Sequence, residues 1–415
     1  MSERFQTSSG LRVVFSPMPH LHSVSAGLWV DAGSAFETEA LAGASHFLEH
    51  LLFKGTKTRS ALDISLAMES KGGVLNAFTG KEHTCYYIRA LDEDFALGLE
   101  LLSDMYRNSL LAPEEIERER QVILEEINMY EDSPDDLAAE KFCSALWPTH
   151  PYGRPVSGSV ESVAALSREQ LVAYWQGHYV PERTVLAVAG NVQPDLVREL
   201  AEKLFPKAQG EPSPLLSLPK GSKGQIITKK EIEQEHVCMG FPTFSLGDED
   251  VYALSILTNA LGGGSSSRLF QEVREKRGLS YTAYSYAEHY AQGGYLMSYA
   301  ATQPNKAQTL IDVMAAEYAK LAQDGLTEEE IRLSKDQLRG SLMLSLESSS
   351  AVMSRLGRAE LSLQELYDPE ERVAKLMAVS AEDIQRVIQR VLRPGELVLS
   401  QVGPGPLIID TQRLF

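Results

Sequence analysis

The sequence predicts an α+β protein made of two similar tandem domains, each a mostly antiparallel sheet packed with helices. The 415 residues are too many for one ordinary core and suit two domains of about 200 residues. Strand-like and helix-like stretches are interspersed, and strand pairs lie close together in the sequence, which favours antiparallel pairing. A pattern near the end of the first half also recurs near the end of the second, which indicates a duplicated fold.

The recurring pattern joins residues 166–190, LSREQLVAYWQGHYVPERTVLAVAG, to residues 379–403, VSAEDIQRVIQRVLRPGELVLSQVG. Seven of the 25 positions are identical, without gaps. Each copy has an N-cap serine, an amphipathic helix, a proline turn and an apolar strand that ends in glycine. Between the copies, residues 208–224 are rich in proline and glycine, as linkers are. We therefore expect one domain over residues 1–207 and a second over residues 225–415.

Local patterns place the elements of each half, because strands alternate apolar and polar residues and helices repeat them every three or four. In the first half the predicted strands are Leu11–Pro17, Ser23–Asp31, Val74–Phe78 and Thr84–Ala90, and the predicted helices are Gly43–Phe53, Ser60–Ser70, Phe95–Ser109 and Pro113–Tyr130. In the second half the predicted strands are Gln225–Lys229, His236–Phe241, Leu279–Ala287 and Tyr295–Ala301, with a helix over Asp248–Leu261 and a helix-rich stretch after the last strand.

The bulk composition excludes several classes of protein. A net charge of −18 argues against a nucleic-acid-binding protein and favours, at most weakly, basic peptides as partners. The apolar runs are too short to span a membrane, and the first ten residues resemble neither a secretory signal nor a presequence. Three cysteines without metal-ligand spacing suit a reducing compartment, so we expect a cytoplasmic protein.

The stretch His46-Phe-Leu-Glu49-His50 is the first candidate site. Residues at positions i and i+4 share a helix face, so both imidazoles can reach one point, and Glu49 projects from the same face. Zinc binds His nitrogens readily, and H-x-x-E-H is the inverted form of the common zinc-peptidase motif. A His on an apolar helix face is also typical of a packed core residue, so the five residues alone leave both interpretations open.

The helix predicted from Pro113 onward offers a third ligand. Glu119 and Glu126 lie on its apolar stripe, whereas Glu125 falls on the polar side. A carboxylate on a buried stripe needs a partner, and zinc would provide one for Glu126. Glu119 could orient a ligand His from behind. The alternative is an acidic helix whose glutamates reach water at a domain edge.

Three segments together resemble the pitrilysin/insulinase family of zinc peptidases, in its branch similar to the mitochondrial processing peptidase. They are HFLEHLLFKGT, GGVLNAFTGKEHTCYY and ERERQVILEEI, and the similarity extends over the whole chain. The resemblance implies that His46, His50 and Glu126 bind one zinc ion per chain and that Glu119 supports the site. It also implies that Glu49 is the general base, taking a proton from a zinc-activated water.

The resemblance also suggests where a peptide binds. Residues Asn76, Ala77, Phe78 and Thr79 are expected to take up an extended peptide as an added strand, with Asn76 and Ala77 on its main chain. Without the resemblance, these residues would be an ordinary hairpin strand. In the second half, Arg274 and Tyr281 have the family's spacing for an Arg/Tyr pair that binds substrate and stabilises the tetrahedral intermediate. The second half has no H-x-x-E-H and is expected to be non-catalytic.

The leading hypothesis is therefore a zinc endopeptidase that cuts unfolded or extended peptides inside a dimeric chamber. Because this chain has both the zinc residues and the Arg/Tyr pair, we expect a homodimer, with a heterodimer containing a divergent relative as the alternative. Two other functions stay open: a non-catalytic assembly subunit of the same fold, and a scaffold that binds peptides without cutting them.

Overall fold

Residues 2–405 are described in a computed structural model, and they form two compact units that each contain one sheet. The first unit comprises residues up to Ile127, Pro155–Leu216 and Met343–Asp368. The second comprises Asn128–Arg154, Ser217–Leu342 and the described residues from Pro369 onward. The α+β class and the two mostly antiparallel sheets are confirmed.

The first unit has a six-stranded sheet in the order β1-β2-β6-β3-β5-β4. All neighbouring strands are antiparallel except β2 and β6, which are parallel. The strands are β1 (Glu3–Gln6), β2 (Arg12–Pro17), β3 (Ser23–Val30), β4 (Val74–Thr79), β5 (Thr84–Leu91) and β6 (Thr184–Gly190). The order leaves β4 at one edge of the sheet, where it pairs with β5 alone.

The helices of the first unit pack on the two faces of this sheet. They are α1 (Ala44–Leu51), α2 (Ala61–Glu69), α3 (Phe95–Asn108), α4 (Pro113–Asp132, up to Ile127), α6 (Val160–Ala165), α7 (Arg168–His178), α8 (Pro194–Leu204) and α12 (Ser349–Leu363). Strand β3 is buried on both faces, because Val24, Ala26 and Leu28 face the main core while Trp29 faces α12. This arrangement fixes the register of β3, since a shift by one residue would exchange its two faces.

The second unit repeats the plan with five strands in the order β7-β11-β8-β10-β9. Strands β7 and β11 are parallel, and the other pairs are antiparallel. The strands are β7 (Gly224–Lys229), β8 (Glu235–Thr243), β9 (Ala283–His289), β10 (Gly294–Thr302) and β11 (Val398–Gly403). The helices are α5 (Pro134–Leu146), α9 (Val251–Gly262), α10 (Ala307–Asp324), α11 (Glu328–Ser345, up to Leu342), α13 (Pro369–Ala378) and α14 (Ala381–Val391), with a π-helical turn at Phe270–Glu275.

Two helices pack in the unit that is formed mainly by the other half of the chain. Helix α5, from the first half, packs against β7, β8 and β11 in the second unit. Helix α12, from the second half, packs against β2, β3 and β6 in the first unit, where Met353 and Leu356 contact the Trp29 side of the sheet. The compact units therefore differ from the sequence segments 1–207 and 225–415. A division of the sequence at the linker assigns each helix to the segment that contains it, whereas α5 and α12 each pack in the unit formed mainly by the other segment. The expected linker, residues 208–224, has no regular secondary structure until β7 begins at Gly224.

The sequence repeat corresponds to a repeat of structure. Ser167 and Ser380 are N-caps of α7 and α14, and each forms a capping box with the third helical residue. One prediction was displaced: β9 begins at Ala283, not at Leu279. Leu279 instead donates its N–H to Val273 O, and the Ser280 side chain bonds to the backbone of Thr282, so this stretch forms the turn after the π-helical segment.

Candidate metal centre and peptide-binding edge

The helix that carries the H-x-x-E-H residues is held at its N-terminus by a buried glutamate. Helix α1 follows Gly43, which has a φ of 94° and no side chain to cap the helix. The Glu37 carboxylate takes that role, accepting hydrogen bonds from Gly43 N at 2.8 Å and from Ser45 N at 2.7 Å. Ser45 Oγ also lies 2.9 Å from Tyr174 OH on α7. The first turn of α1, which includes His46, is thus fixed from two sides.

Helix α4 presents two of its glutamates towards α1. Glu119 is buried and Glu126 is half-buried, whereas Glu125 is exposed to solvent. Ile123 and Ile127, on the same stripe as Glu119 and Glu126, belong to the core of the first unit. The helical spacing in the sequence therefore selected the inward-facing glutamate of the adjacent pair.

His46, His50 and Glu126 lie together. His46 Nε2 is 3.6 Å and His50 Nε2 is 3.5 Å from Glu126 Oε2, and the two imidazole centroids are 4.8 Å apart. Within residues 2–405, this is the one group of three or more His, Cys, Asp or Glu side chains whose ligand atoms could hold a metal ion, all within 4.8 Å of one another.

The donor set fits zinc. Contacts of 3.5 and 3.6 Å are too long for strong hydrogen bonds. They match the edge of a tetrahedron of zinc ligands, which is about 3.4 Å when the ligand bonds are about 2.1 Å long. Two imidazoles and one carboxylate are also a common protein ligand set for catalytic zinc, and they leave a fourth position for water. The three residues present are therefore suited to a catalytic zinc ion.

The electrostatic surroundings distinguish the two histidines. Burial lowers the pKa of His46 to about 4, against an opposing effect of Glu126, so this ring is neutral at pH 7 and has a free lone pair. Burial also acts to lower the pKa of His50, but Glu126 and Glu119 outweigh it, and the pKa is raised. A metal at this site would replace the proton that the two glutamates favour on His50.

Glu119 contacts the candidate ligand His50 at Nδ1, the ring nitrogen other than the one that faces Glu126. Its Oε2 lies 3.1 Å from His50 Nδ1, and its Oε1 lies 2.8 Å from Lys54 Nζ. A carboxylate on Nδ1 fixes the ring orientation and leaves Nε2, the nitrogen near Glu126, to bind a metal. Lys54 compensates the charge of this carboxylate, whose side chain is 3 % exposed.

Glu49 lies beside this cluster, where the Thr79 side chain contacts it. Thr79 Oγ1 donates a hydrogen bond of 2.5 Å to Glu49 Oε2. Burial raises the pKa of Glu49, and the hydrogen bond from Thr79 partly opposes that rise. Glu49 is therefore a half-buried carboxyl with a raised pKa that lies beside the candidate metal group and outside it.

Asn76, Ala77, Phe78 and Thr79 all belong to β4, the edge strand of the first sheet. Asn76 and Phe78 are exposed, and Asn76 Oδ1 accepts a hydrogen bond from Ala77 N at 2.8 Å. The Asn76 side chain thus covers a backbone donor on an edge that could otherwise pair with another strand. An extended peptide added to β4 would take over this donor.

Arg274 and Tyr281 lie in the second unit and contact each other. The Arg274 guanidinium is 4.2 Å from the centroid of the Tyr281 ring and 4.8 Å from that of Phe270. Arg274 Nη1 also donates to Tyr281 O at 3.4 Å. The Tyr281 side chain is 79 % exposed. Both groups are therefore accessible donors placed side by side.

Comparison with known proteins agrees with the resemblance to the insulinase family. Residues 12–160 match the family model described as insulinase (peptidase family M16), and residues 165–338 match the peptidase M16 inactive domain. A protein of Mycobacterium tuberculosis H37Rv, named as an uncharacterized zinc protease, is 45 % identical over 95 % of this chain and 92 % of its own length. The chain belongs to peptidase family M16.

Other M16 relatives extend the comparison. An uncharacterized zinc protease of Bacillus subtilis is 40 % identical over 98 % of this chain and 99 % of its own length. A crystal structure titled as a peptidase M16 inactive domain from Pseudomonas fluorescens has a TM-score of 0.91, with 21 % identity over 99 % of both chains. A protease from Helicobacter pylori has the same TM-score, with 24 % identity over 98 % of this chain and 100 % of its own. At these identities the two structures support the fold.

Sequence reasoning missed two contacts of this M16 site. Glu37 caps α1 from six residues before Gly43, through a loop whose path no helical or strand period predicts. The Thr79 side chain contacts Glu49, whereas the sequence placed Thr79 only among peptide-binding residues. The signal available in the sequence was the position of Thr79, one residue beyond the end of the predicted strand Val74–Phe78. None of the helices in the described part of the chain combines the length and the apolar character needed to cross a membrane.

Proposed function

We propose that this chain is a zinc metalloendopeptidase that hydrolyses unfolded or extended peptides. The observation that carries the proposal is the group formed by His46, His50 and Glu126, with Glu49 adjacent but outside it. The family of the chain and the names of its relatives, zinc proteases, support the same activity.

His46, His50 and Glu126 would hold one zinc ion per chain. Bound there, zinc would supply a Lewis acid that polarises a water molecule and the scissile carbonyl. Glu49 would accept the proton of the attacking water and then deliver it to the leaving amine, a role suited to its raised pKa. Glu119 would hold the His50 ring in its binding orientation.

The substrate would bind as an added strand on β4. Support comes from the edge position of β4 and from the Asn76 side chain, which occupies a backbone donor that a peptide could use. Asn76 and Ala77 would contact the peptide main chain, and the exposed ring of Phe78 would contact its side chains. Arg274 and Tyr281 would donate hydrogen bonds to the oxyanion that forms at the scissile carbonyl.

We propose further that two copies of the chain form a chamber around the substrate. A homodimer is favoured because one chain carries both the zinc residues and the Arg/Tyr pair, and a heterodimer with a divergent relative is the alternative. A cytoplasmic location is favoured by Cys85 and Cys238, which are buried free thiols.

The test compares wild type with Glu49→Gln. Both proteins are expected to contain one zinc per chain and to bind an unstructured peptide, while Glu49→Gln loses cleavage by about 100-fold or more, the contribution typical of a general base. Zinc is measured by elemental analysis, and cleavage by mass spectrometry with and without a zinc chelator. Glu125→Gln, a change in an exposed glutamate, is the matched control and should cleave like wild type.

The alternatives give different results. A non-catalytic assembly subunit would show no turnover in either protein across a broad peptide library. A peptide-binding scaffold would bind zinc and peptide with no chelator-sensitive cleavage. Either outcome from wild-type protein would overturn the peptidase proposal.

A further inference from the structure

We propose that Thr79 is a positioning residue for Glu49, so that the strand expected to bind the peptide also orients the catalytic base. The inference rests on the proposed peptidase function and adds a role for a side chain of this site. Thr79 ends β4, and its hydroxyl donates the 2.5 Å hydrogen bond to Glu49 Oε2.

The hydrogen bond restricts a side chain that would otherwise rotate. Glu49 lies near the C-terminal end of α1, and its carboxyl is attached through three rotatable bonds. A hydrogen bond to a carboxylate is stronger than one between neutral groups, so Thr79 selects one orientation of the carboxyl plane. With Oε2 engaged by Thr79, Oε1 is left to accept a proton.

The position of Thr79 is fixed by the strand that pairs with it. Thr79 is paired with Thr84 in the β4–β5 ladder, and the hydroxyls of the two residues are 3.5 Å apart. Thr84 is fully buried and donates to Ala32 O at 2.9 Å. The Thr84 hydroxyl has one proton and its shorter contact is to Ala32 O, so the 3.5 Å contact with Thr79 is at most a weak hydrogen bond, in which Thr84 is the donor. The strand pairing, not this contact, fixes the position of Thr79. A β-branched residue is also stiff about χ1, which suits a supporting role.

The side chain and the backbone of Thr79 have different roles. The one proton of its hydroxyl is donated to Glu49, so this side chain is not a hydrogen-bond donor to a bound peptide. Its backbone still continues the edge to which the peptide would add. A peptide that pairs with Asn76 and Ala77 would therefore lie on the same strand that fixes the orientation of Glu49, which couples binding to alignment of the base.

The experiment uses the full-length, zinc-loaded chain and an unstructured fluorogenic peptide. Thr79→Val removes the hydroxyl and keeps the branched shape, and we expect kcat to fall about 10-fold, the equivalent of one lost hydrogen bond, with little change in KM. Thr79→Ser restores the hydroxyl and should recover most of kcat. Thr228→Val is the matched control, since Thr228 is a half-buried threonine on the edge strand β7 of the other sheet.

A second measurement does not depend on turnover. In the Glu49→Gln background, peptide affinity and zinc content should be unchanged by Thr79→Val. A raised KM with normal kcat, or a weakened peptide affinity in that background, would show instead that Thr79 contacts the peptide and would overturn the inference.

The remaining outcomes are also decisive. If Thr79→Val does not fold, Thr79→Ala and Thr79→Ser still differ by the hydroxyl alone, and equal kcat values for these two would contradict the inference. Wild-type cleavage with no effect of any Thr79 variant overturns the inference and leaves the peptidase function in place. Absence of cleavage by wild type overturns both.

Discussion

The two sheets of this protein have the same topology but carry different chemistry. Without β1, the first sheet reads β2-β6-β3-β5-β4, and the second reads β7-β11-β8-β10-β9, with the parallel pair at the same place. The α-helix that follows the third strand of each order along the chain, β3 or β8, differs in its residues between the two units. Helix α1 contains two histidines and a glutamate, whereas its counterpart α9, with the sequence VYALSILTNALG, contains no His, Asp or Glu.

This difference shows that the fold forms without the candidate metal-binding residues, because the helix of the second unit that corresponds to α1 lacks them. Both sheets pack against apolar helix residues, and α1 carries His46, Glu49 and His50 in addition to its apolar residues Phe47, Leu48 and Leu51.

The same reasoning applies to α4 and to α11, each of which follows the helix after the hairpin of its unit. Helix α4 contributes the buried Glu119 and the half-buried Glu126 to the candidate site. Its counterpart α11 has no buried acidic residue, and its half-buried Glu330 is paired with Arg268. The first unit carries the candidate metal site, and among the described residues the second unit has no comparable group.

The first prediction has the largest expected effect on stability. It concerns α5 and α12, the two helices that pack in the unit formed mainly by the other half of the chain. Phe142, in α5, is fully buried against the second sheet, and Leu356, in α12, is buried against the first. Replacement by Ala should destabilise the unit that receives the helix, by about 3–5 kcal/mol for Phe142 and about 2–5 kcal/mol for Leu356. Hydrogen exchange measured by mass spectrometry should speed up in β7, β8 and β11 for Phe142→Ala, and in β2, β3 and β6 for Leu356→Ala.

The two variants serve as controls for each other. Because each residue belongs to the opposite half of the chain from the unit it supports, the faster exchange should appear in the half that does not contain the substitution. If hydrogen exchange became faster only in the half of the chain that contains the substitution, this result would contradict the packing of α5 in the second unit and of α12 in the first.

The second prediction tests the chemical difference between the units. Glu126→Gln should weaken zinc binding by about 100-fold or more, beyond the 10- to 100-fold typical for loss of a supporting residue behind a ligand. Glu125→Gln, next to it but exposed, should bind zinc like wild type. Competition with a chromogenic chelator measures both affinities. Loss of zinc from the Glu125 variant alone would refute the assignment of the third ligand.

The third prediction concerns the loop after α1. Asp104, on α3, accepts hydrogen bonds from the side chains of Thr56, Thr58 and Arg59 in that loop and from Asn108 on its own helix. Burial acts to raise the pKa of Asp104, but these donors outweigh it, and the pKa is lowered. Asp104→Asn should cost about 2 kcal/mol of stability at pH 7, as expected for hydrogen bonds to a charged group.

The pH dependence has a definite sign. A carboxyl whose pKa is depressed in the folded state contributes stability above its unfolded pKa, about 3.9, and loses that contribution as the pH falls through the folded value. The difference between wild type and Asp104→Asn should therefore be full at neutral pH and shrink below about pH 4. Urea denaturation at a series of pH values measures it. A difference that grows on acidification would mean that Asp104 is not stabilised as a carboxylate.

Much of this architecture could be predicted from the sequence because it depends on local signals. The aligned segments 166–190 and 379–403 contain α7 with β6 and α14 with β11, and the helices match residue for residue at the predicted offset. Capping serines and apolar alternation act over a few residues, so one copy suffices to read them. The choice of Glu126 over Glu125 likewise needed only the helical period.

The remaining features depend on contacts between distant residues. Helix α5 is amphipathic, but nothing in residues 134–146 indicates that its apolar face packs on the sheet of the other half. Glu37 was not identified because its role depends on the path of a loop that returns to Gly43. The hydroxyl of Thr79 reaches Glu49 only because β4 lies next to α1, a tertiary contact that period and composition do not encode.

The position of helix α12 bears on how the protein is made. The outer face of the first sheet, with Trp29 and the valines and alanines of β2 and β6, is covered by residues 349–363 of a 415-residue chain. During synthesis the first unit therefore keeps an apolar face uncovered until most of the second half has been translated, although domains generally fold in order from the N-terminus. The histidines of α1 emerge early, but the sheet that supports them is completed late. A ribosome-bound fragment that stops before α12 would contain His46, His50 and Glu126 without the completed sheet that supports them.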